Sequence, residues 1–428
     1  MIRTSPGYRV LARAVPGIIS LVAPFNSKLS RGHHGRRGAL KRLSAWATTR
    51  DRSRPLVWFH APSVGEGLQA RAVLDRLRRR RPEWQVVYTH FSPSAETFSQ
   101  RIGADAADYL PYDTPDAVRT TLSLLEPSAV IFTKLDVWPE LSTQAAGRGV
   151  PVGLIAGTVS PVSGRSRWPS RALIRPGYRA LTAAGAISSD DAARLAVLGV
   201  HRDRITVTGD PRFDSVLDVI KRIAPDDPVL ASAAGATAMV AGSTWPADEA
   251  IVLSAFQAVR QYHPDARLIL APHEPTAAHL ETAEAVAQRL GLPPPARFST
   301  GRNGPLVLID QVGVLARLYG AGRMGYVGGG FGRAGLHSVL EPAAWGLPVI
   351  HGPRWQSCRE AGLLQAAGGG FALPGPREDA VTHLTELWRQ WLSEEPARRA
   401  AGARARSVVE AGAGAAERNA ELVERMLP

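Results

Sequence analysis

Short apolar runs alternate with longer stretches of helical periodicity along the first half of the chain. The apolar runs predict strands at Leu56–His60, Gln85–His90, Ala129–Thr133, Val152–Ala156 and Ala183–Ser188. The stretches between them predict helices at Gly65–Arg79, Ala95–Ile102 and Pro139–Gly147. Strands that alternate with helices are typical of βαβ units, whose parallel sheet is covered on both faces. This half of the chain is therefore predicted to be an α/β domain.

The alternation restarts after a polar, proline-bearing stretch, Asp210–Pro228. Strands are predicted at Ala238–Gly242, Arg267–Ala271, Leu306–Ile309, Met324–Val327 and Pro348–His351, with helices at Asp248–Tyr262, Thr276–Leu290 and Ala397–Met426. The predicted fold class is α/β, with two Rossmann-like parallel-sheet domains that face each other across a ligand-binding cleft. We expect an N-terminal segment 1–50, a first domain 51–215, a second domain 216–405 and a C-terminal helix 406–428.

Positive charge is concentrated at the start of the chain. The formal net charge is +13, and residues 1–50 contain ten Lys or Arg and no Asp or Glu. Such a surface favours anionic partners. Nucleic acid ranks last among these partners, because no aromatic residues are interleaved on a basic face. The single cysteine, Cys358, excludes a disulfide framework and a cysteine-based zinc site.

An apolar segment, Ala14–Phe25, lies inside this basic region. Pro16, Gly17 and Pro24 interrupt it, so we expect it to be too short for a membrane-spanning helix, which needs about 20 apolar residues. No signal-peptide cleavage site is evident. The segment is predicted either to lie in a membrane interface or to form a buried helix with a basic flank.

Polar residues follow two predicted strands of the first domain. Ser63, Gly65 and Glu66 come after the strand that ends at His60, where a helix begins and its free N–H groups face an anion. Spacing alone favours helix capping for Glu66 over a role as a base or as an acceptor of a substrate hydroxyl. Ser92 and Ser94 follow the next strand, as an ordinary N-terminal cap or as a phosphate or carboxylate site.

Lys134 and Asp136 stand directly after the predicted strand Ala129–Thr133. Because a central parallel strand is buried, charges at its carboxyl end are rarely structural, and a role in the cleft is favoured over a plain surface turn. Pro139 suits the first turn of the next helix. The neighbouring ammonium of Lys134 is expected to lower the pKa of Asp136 and keep it ionised.

Glycines mark the candidate site of the second domain. Gly328, Gly329 and Gly330 follow a strand and are expected to let the backbone approach a ligand. The stretch Gly335–Glu341, which includes His337 and Ser338, is predicted to begin a helix whose N-terminus takes a phosphate. Four residues follow other strands at the same edge: Ser243, Thr244, Pro272 and His273. His273 is either a neutral imidazole facing phosphate or a loop histidine bonded to backbone.

No cofactor or metal is predicted. His33 and His34 have no partners at metal-ligand spacing, and the chain has no P-loop. No Asp-x-Asp motif follows a strand in the second domain.

These motifs together resemble the Kdo transferases, a GT-B family that moves 3-deoxy-D-manno-octulosonic acid (Kdo) from CMP-Kdo to lipid A precursors. The resemblance runs from about Leu56 to Glu360 and is carried by eight segments: His60–Gly67, Phe91–Glu96, Tyr109–Asp113, Lys134–Pro139, Gly209–Asp214, Gly242–Pro246, Pro272–Glu274 and Gly328–Pro342. It implies an inverting, metal-independent reaction in lipopolysaccharide synthesis at the cytoplasmic face of the inner membrane. The implied partners are CMP-Kdo or a related nucleotide sugar, a lipid A precursor and an anionic membrane surface.

The resemblance implies that the first domain binds the acceptor and the second the nucleotide sugar. Catalytic roles are predicted for Asp136, Glu66 and Lys134, with Asp136 as the base or base-orienting group. Substrate-binding roles are predicted for His60, Ser63, Gly65, Ser92, Ser94 and Arg212. Nucleotide-binding roles are predicted for Ser243, Thr244, Pro272, His273, Gly328, Gly329, Gly330, Gly335, His337, Ser338 and Glu341, with Glu341 on the ribose hydroxyls.

The chain departs from the family at three places. The family commonly has a glutamate before an arginine in the basic segment, whereas residues 33–44 contain no acid and Gly35 precedes Arg36. Asp136 and Ser338 stand where glutamate and asparagine are usual. Two alternatives therefore stay open: a GT-B transferase or epimerase that uses another nucleotide sugar, and a non-catalytic relative that binds lipid or nucleotide.

Overall fold

The computed structural model describes residues 2–232, 238–333 and 335–427. The chain divides into two compact units. The first unit comprises residues 1–215 and 413–428, and the second comprises residues 216–412. Each unit is built around its own parallel sheet.

The sheet of the first unit has seven parallel strands in the order β3-β2-β1-β4-β5-β6-β7. Their bounds are β1 Leu56–His60, β2 Gln85–His90, β3 Ala106–Tyr109, β4 Ala129–Thr133, β5 Val152–Gly157, β6 Ala183–Ala186 and β7 Ile205–Val207. His60 pairs in register with Thr89 on one side and with Phe132 on the other. The carboxyl ends of β1, β2 and β4 therefore lie side by side.

Helices precede and connect these strands. Their bounds are α1 Pro6–Val22, α2 Ser27–Ala47, α3 Val64–Arg80, α4 Glu96–Ser99, α5 Pro115–Leu125, α6 Pro139–Gly147, α7 Ser170–Arg179, α8 Ser189–Leu198 and α9 Pro211–Lys221. Short 3-10 turns lie at Ala23–Phe25, Pro93–Ala95, Gly164–Ser166 and Arg202–Arg204. The helices cover both faces of the sheet, as a buried parallel sheet requires.

The second unit repeats this plan, with strand order β10-β11-β9-β8-β12-β13-β14. Its strands are β8 Ala238–Thr244, β9 Arg267–Pro272, β10 Ala296–Arg297, β11 Leu306–Leu308, β12 Met324–Val327, β13 Val349–His351 and β14 Gly370–Ala372. Its helices are α10 Pro228–Ser232, α11 Pro246–Arg260, α12 Ala277–Arg289, α13 Leu315–Ala321, α14 Leu340–Ala344, α15 Arg359–Ala366, α16 Arg377–Ser393 and α17 Glu395–Gly412, and a 3-10 turn lies at Phe298–Thr300.

One last helix, α18 (Ala415–Glu424), belongs to the first unit. Its residues Ala416, Ala420 and Val423 pack against Phe59 and other side chains on one face of the first sheet. The tail predicted to be helical over 397–426 is helical, but the continuous C-terminal helix expected over 406–428 is wrong. The tail is two helices, because Gly414 adopts a left-handed conformation with φ +83° at the break.

The alternation of side chains along β1 creates two cores. Trp58 belongs to the cluster on one face of the sheet, and Val57 and Phe59 belong to the cluster on the other face. All five residues of β1 are buried. Each fully buried large apolar side chain of this kind contributes roughly 1.5–3 kcal/mol to folding. The charged side chains at the ends of these strands therefore stand on a rigid support.

The N-terminal segment differs from the sequence prediction. Helix α1 is capped by Ser5, whose side chain accepts a hydrogen bond from the N–H of Tyr8, and it continues through Pro16. The helical stretch Pro6–Phe25 has 20 residues and contains an 18-residue window with a mean hydropathy of 1.3, of which 6% is buried. It is therefore long and apolar enough to cross a membrane by length and composition, and the prediction that the segment is too short was wrong.

Candidate functional site

Asp136 lies at the centre of a hydrogen-bonded cluster beyond the end of β4. Its Oδ2 lies 3.1 Å from His60 Nε2 and accepts a hydrogen bond from Trp138 Nε1 at 3.0 Å. Its Oδ1 lies 3.5 Å from Arg165 Nη2. The Trp138 indole is itself fixed by stacking on Phe91, with ring centroids 5.3 Å apart. The carboxylate is thus held from three directions.

His60 lies behind this carboxylate. Its side chain has no exposed surface, whereas the side chain of Asp136 is 18% exposed. The second ring nitrogen of His60, Nδ1, lies 3.1 Å from the hydroxyl of Thr89. Because both ring nitrogens are occupied and the ring is buried, His60 orients Asp136. The direct substrate contact predicted for His60 is therefore not what the geometry supports.

The environment keeps Asp136 ionised. Burial alone raises the pKa of this carboxyl, but the hydrogen bond and charge of His60 and the charge of Arg165 act in the opposite direction. The net pKa lies below the usual value for aspartate. An ionised and partly exposed carboxylate of this kind is able to accept a proton from a bound hydroxyl.

Glu66 and Lys134 form a second pair beside this cluster. Lys134 Nζ lies 2.9 Å from Glu66 Oε1, and the hydroxyl of Ser63 donates to Oε2 of the same carboxylate. Burial raises the pKa of Glu66, whereas the Lys134 charge and the Ser63 hydroxyl lower it below the usual value. Glu66 lies in the first turn of α3, but its partners are Lys134 and Ser63. Its carboxylate also accepts a hydrogen bond from its own backbone N–H, so the role in the first helical turn that spacing favoured is kept and an ion pair is added.

Asp136 has the lowered pKa that was expected, but His60, Arg165 and Trp138 lower it in place of Lys134. Lys134 has a left-handed backbone, with φ +65°, in a tight turn where Asp136 N donates to Thr133 O at 3.4 Å. Lys134 pairs with Glu66, and the side chains of His60 and Arg165 lie beside Asp136. Glu66 and Asp136 nevertheless lie at the carboxyl ends of adjacent strands, as predicted.

A buried network that sequence analysis missed supports the helix after Trp138. Asp113 accepts hydrogen bonds from the backbone N–H of Glu140 and of Leu141, both at 2.8 Å, and thereby caps α6. Tyr8 donates its hydroxyl to Asp113 at 2.6 Å. The fully buried Glu140 is ion-paired with Arg9 at 3.0 Å. Helix α1 is thus tied to the element that follows the Asp136 cluster.

The network shifts the pKa values of Asp113 and Glu140. Burial raises the pKa of Asp113 to about 6, although the hydrogen bonds from Tyr8, Glu140 and Leu141 act against this shift. Burial also raises the pKa of Glu140, but Arg9 and Thr4 outweigh it and leave the net pKa lowered. The only sequence signal for Asp113 was its place at the end of the Tyr109–Asp113 segment.

Gly35 faces an aromatic ring. A Cβ atom added at Gly35 would lie 2.3 Å from Cε2 of Tyr109, so no larger side chain fits without rearrangement. The next residue, Arg36, is buried, lies over the ring of Phe91 at 3.6 Å and donates to the carbonyl of Gly32 at 3.1 Å. Tyr109 occupies the space that a side chain at position 35 needs.

Other predicted acceptor-side residues have local partners. Ser92 caps a 3-10 turn, and its Oγ lies 2.8 Å from that of Ser94. The helix predicted over 95–102 is only the four-residue α4. Arg212 forms an ion pair with the buried Asp210 at 2.6 Å. A Cβ atom added at Gly65 would lie 3.9 Å from Oγ of Ser63, an ordinary van der Waals contact.

In the second unit, three aromatic side chains stack where β8, β9 and β12 end. His273 and His337 stack with ring centroids 4.1 Å apart, and Trp245 Nε1 donates to His337 Nε2 at 3.0 Å. Because an indole N–H only donates, His337 Nε2 must carry the lone pair and Nδ1 the proton. Burial, with a smaller contribution from His273, lowers the pKa of His337 to about 4. His337 is therefore a neutral donor at pH 7.

The glycine run has a structural cause. A Cβ atom at Gly328 would lie 2.3 Å from the carbonyl oxygen of Ser243, and Gly329 has φ +94°. The N–H of Gly329 donates to Asp248 at 2.9 Å. These glycines let neighbouring backbone segments meet, which differs from the predicted approach of a ligand.

The helix predicted to begin at Gly335 was also wrong. Residues 335–338 are not helical, and α14 starts only at Leu340. Gly335 has φ +86°, a left-handed conformation that does not continue a helix. The expected phosphate site at a helix N-terminus is therefore absent from this described segment. Ser338 is exposed.

The carboxyl group of Glu341, at the start of α14, has no hydrogen bond or ion pair to any residue that the structure describes. Burial raises its pKa to about 7.

The other predicted nucleotide-binding residues lie at the ends of β8 and β9. Thr244, at the end of β8, donates a hydrogen bond to Glu249, whose carboxylate also lies 2.9 Å from His279. Ser243 has φ +54°, and Pro272 ends β9. Within the described ranges, no group of three or more His, Cys, Asp or Glu side chains is arranged to hold a metal ion.

Solved structures with this architecture include enzymes that act on nucleotide sugars. UDP-GlcNAc 2-epimerase from Neisseria meningitidis matches with a TM-score of 0.61 and 14% identity, over 86% of this chain and 100% of its own. A glycosyltransferase from Rickettsia africae matches with a TM-score of 0.58 and 11% identity, over 87% and 98%. At such identities the likeness concerns the fold alone. The predicted GT-B fold, with two parallel-sheet α/β domains, is confirmed.

Sequence relatives identify the family. The family model described as 3-deoxy-D-manno-octulosonic-acid transferase matches residues 35–215. The 3-deoxy-D-manno-octulosonic acid transferase of Bordetella pertussis is 32% identical over 87% of both chains. The enzyme of that name from Aquifex aeolicus is 27% identical over 77% of this chain and 85% of its own. The resemblance inferred from the motifs is thereby confirmed: the chain belongs to the 3-deoxy-D-manno-octulosonic acid transferase family of glycosyltransferases.

Proposed function

We propose that the protein transfers Kdo from CMP-Kdo to a lipid A precursor in lipopolysaccharide synthesis. The observation that carries this proposal is Asp136, an ionised and partly exposed carboxylate held by His60, Trp138 and Arg165. Family membership supports the choice of sugar. The alternative arrangement, a base in residues 33–44, has no acidic side chain to serve it.

In the proposed reaction, Asp136 removes the proton from an acceptor hydroxyl. The hydroxyl oxygen attacks the anomeric carbon of Kdo, the bond from that carbon to the CMP phosphate breaks, and the configuration inverts. Removal of such a base lowers a rate by roughly two to four orders of magnitude. The Glu66–Lys134 pair positions the acceptor, because the side chain of Lys134 is 44% exposed and its ammonium is able to meet an anionic group.

We assign donor binding to the second unit. His337, a neutral imidazole whose Nδ1 carries the proton, suits a hydrogen bond to a phosphate oxygen. Glu341 suits the ribose hydroxyls, since its carboxyl has no partner within the described chain. The scheme requires no protein-bound metal, because the leaving phosphate is stabilised by hydrogen bonds and cationic groups.

We also propose that the protein is peripheral at the cytoplasmic face of the inner membrane. Helix α1 exposes a series of apolar side chains: Val10, Leu11, Val15, Ile18, Leu21 and Val22, followed by Phe25. The ten basic residues of 1–50 suit anionic headgroups. Vesicle sedimentation of the full chain, compared with a truncation that starts at Leu40, tests this contact. Equal pelleting of both would contradict it.

The central experiment incubates the purified protein with CMP-Kdo and a lipid A precursor and follows CMP release and lipid mass. We expect CMP to appear together with a lipid that is heavier by the mass of a Kdo residue. Release of CMP without lipid gain would indicate hydrolysis, and no reaction would contradict the proposal.

A second candidate is a transferase or epimerase that uses another nucleotide sugar. The acid-free stretch 33–44 favours it. A parallel incubation with UDP-GlcNAc separates the two candidates. Turnover of that sugar without CMP-Kdo consumption would select the second one. Binding of CMP-Kdo with no turnover of either sugar would select a non-catalytic relative.

A further inference from the structure

A second apolar and basic surface lies on the first unit, outside the N-terminal segment. It consists of Val162, Arg165, Arg167, Trp168, Arg171 and Arg175, and is called here the Trp168 surface. Trp168 is 82% exposed and Val162 is 78% exposed. All four arginines are exposed as well. An exposed tryptophan between arginines is unusual on a surface that faces only water.

The charge around this surface is one-sided. Residues 141–189 contain six arginines and no Asp or Glu. Arg167, Arg171 and Arg175 have no ion pair with any residue that the structure describes, and only Arg165 has an acidic neighbour, Asp136. Unpaired arginines beside an amphipathic aromatic ring match the chemistry of the lipid headgroup region.

The Trp168 surface adjoins helix α1. A Cβ atom added at Gly7 of α1 would lie 3.9 Å from Cδ2 of Leu173 in α7, the helix that carries Arg171 and Arg175. Helix α1 itself exposes a series of apolar side chains. The two features therefore belong to one neighbourhood of the same unit.

We infer that the Trp168 surface is a second contact with an anionic lipid bilayer, beyond α1 and α2. The inference rests on the proposed membrane location. Its consequence for the site runs through Arg165, which donates to the carbonyl of Leu135 and lies 3.5 Å from Asp136. A bilayer that binds the Trp168 surface also holds Arg165, and with it Asp136, close to the lipid interface. A lipid acceptor resides at that interface.

The test measures partition of the full chain onto two kinds of vesicle, one of phosphatidylcholine alone and one containing about one third phosphatidylglycerol. Variant Arg167→Glu/Arg171→Glu is expected to lose about tenfold in affinity for the anionic vesicles. Variant Val162→Ser/Trp168→Ser is expected to lose roughly threefold in affinity for both kinds of vesicle, because it removes apolar area that the bilayer buries on binding. These side chains are exposed, so melting temperatures are expected to stay unchanged.

Matched controls come from the second unit. Arg289→Glu/Arg302→Glu makes the same charge change at exposed arginines, and Val312→Ser changes a valine that is also 78% exposed. If the Trp168-surface variants lose no more vesicle affinity than these controls, the inference is overturned.

A second measurement separates this inference from the proposed function. CMP release is assayed with the lipid acceptor in detergent and in vesicles. We expect Arg167→Glu/Arg171→Glu to keep the wild-type rate in detergent and to lose rate on vesicles. Equal loss in both would overturn a lipid contact and indicate a direct effect on catalysis. Vesicle binding through the Trp168 surface, without CMP release by the wild type, would contradict the proposed function and leave the inference standing.

Discussion

Nε2 of His60 lies 3.1 Å from Oδ2 of Asp136, and the imidazole is wholly buried while the carboxylate reaches solvent. Because only Asp136 is exposed, Asp136 is the group that contacts a substrate, and His60 is the group that orients Asp136. Asp136→Asn is nearly isosteric, so it is expected to leave folding and nucleotide affinity unchanged. CMP release is expected to fall by about two to four orders of magnitude. Calorimetry with CMP and a melting curve provide the controls.

Glu66→Gln is the matched comparison for that variant. It keeps the shape of the side chain at the neighbouring strand end but weakens the pair with Lys134. We expect it to act mainly on KM for the acceptor. Near-wild-type turnover in both variants would place the base elsewhere. A loss of stability in step with activity would make Asp136 structural.

A pH profile tests the positioning role of His60. In the wild type the hydrogen bond and charge of His60 help to keep the pKa of Asp136 below the usual value. His60→Gln removes that charge, so the pKa of Asp136 is expected to rise. Because the base acts when it is unprotonated, the acidic limb of kcat/KM should move to higher pH. A uniform drop at every pH would indicate a merely structural role.

Arg9→Met tests the link between α1 and α6. The variant leaves Glu140, a carboxylate with no exposed surface, without its cation. Loss of one partner from a buried pair typically costs about 3–5 kcal/mol, and the partial exposure of Arg9 reduces this to roughly 1–3 kcal/mol. Urea unfolding provides the measurement. Arg9→Met/Glu140→Gln should recover part of the loss, since no buried charge remains.

The same pair has a defined pH dependence. The pKa of Glu140 is lowered in the folded state, so its contribution to stability is complete above the unfolded pKa and is lost as pH falls through the folded value. The difference between the wild type and Arg9→Met should therefore narrow in acid. A difference that is constant with pH would mean that Arg9 acts through packing.

Glu341 should show the opposite behaviour. Burial raises its pKa to about 7, so the folded state resists ionisation and wild-type stability falls as pH rises from the unfolded pKa through about 7. Glu341→Gln removes this penalty, and it should be more stable than the wild type at pH values above the folded pKa by about 1–3 kcal/mol. The same variant should weaken CMP-sugar binding by about 1–3 kcal/mol. Unchanged nucleotide affinity would remove Glu341 from the proposed donor site.

Gly35→Glu places an acid just before Arg36, where the resemblance to the family led us to expect one. Because a Cβ atom there would lie 2.3 Å from Tyr109, we expect a loss of roughly 1–3 kcal/mol in stability and no gain in rate. Gly35→Ala isolates the steric part. A higher rate of CMP release by the Gly35→Glu variant would show that the base belongs to α2.

Much of the fold follows from local pattern. The apolar run of β1 was predicted with its observed bounds, as were those of β2, β4 and β12, because buried parallel strands read as continuous hydrophobic segments. The half-exposed strand β3 lacks such a run and was missed. Helix α1 was misread because Pro16 was expected to interrupt it.

The site depends more on distant partners. The strand-end positions of Glu66 and Asp136 could be predicted, because parallel strands end at one edge of a sheet. The partner of Lys134 could not, since its left-handed backbone turns the chain between Lys134 and Asp136. Arg9 and Glu140 are 131 residues apart in sequence, so no local sequence pattern predicts that they pair.

The placement of α18 imposes an order on biosynthesis. The ribosome completes residues 216–412 before it makes the helix that covers the sheet of the first unit. Until then, the face that later receives Ala416, Ala420 and Val423 presents apolar residues to solvent. Such a nascent intermediate is prone to aggregation and is a natural client for chaperones. A premature stop near residue 412 would therefore damage the part of the protein that was translated first.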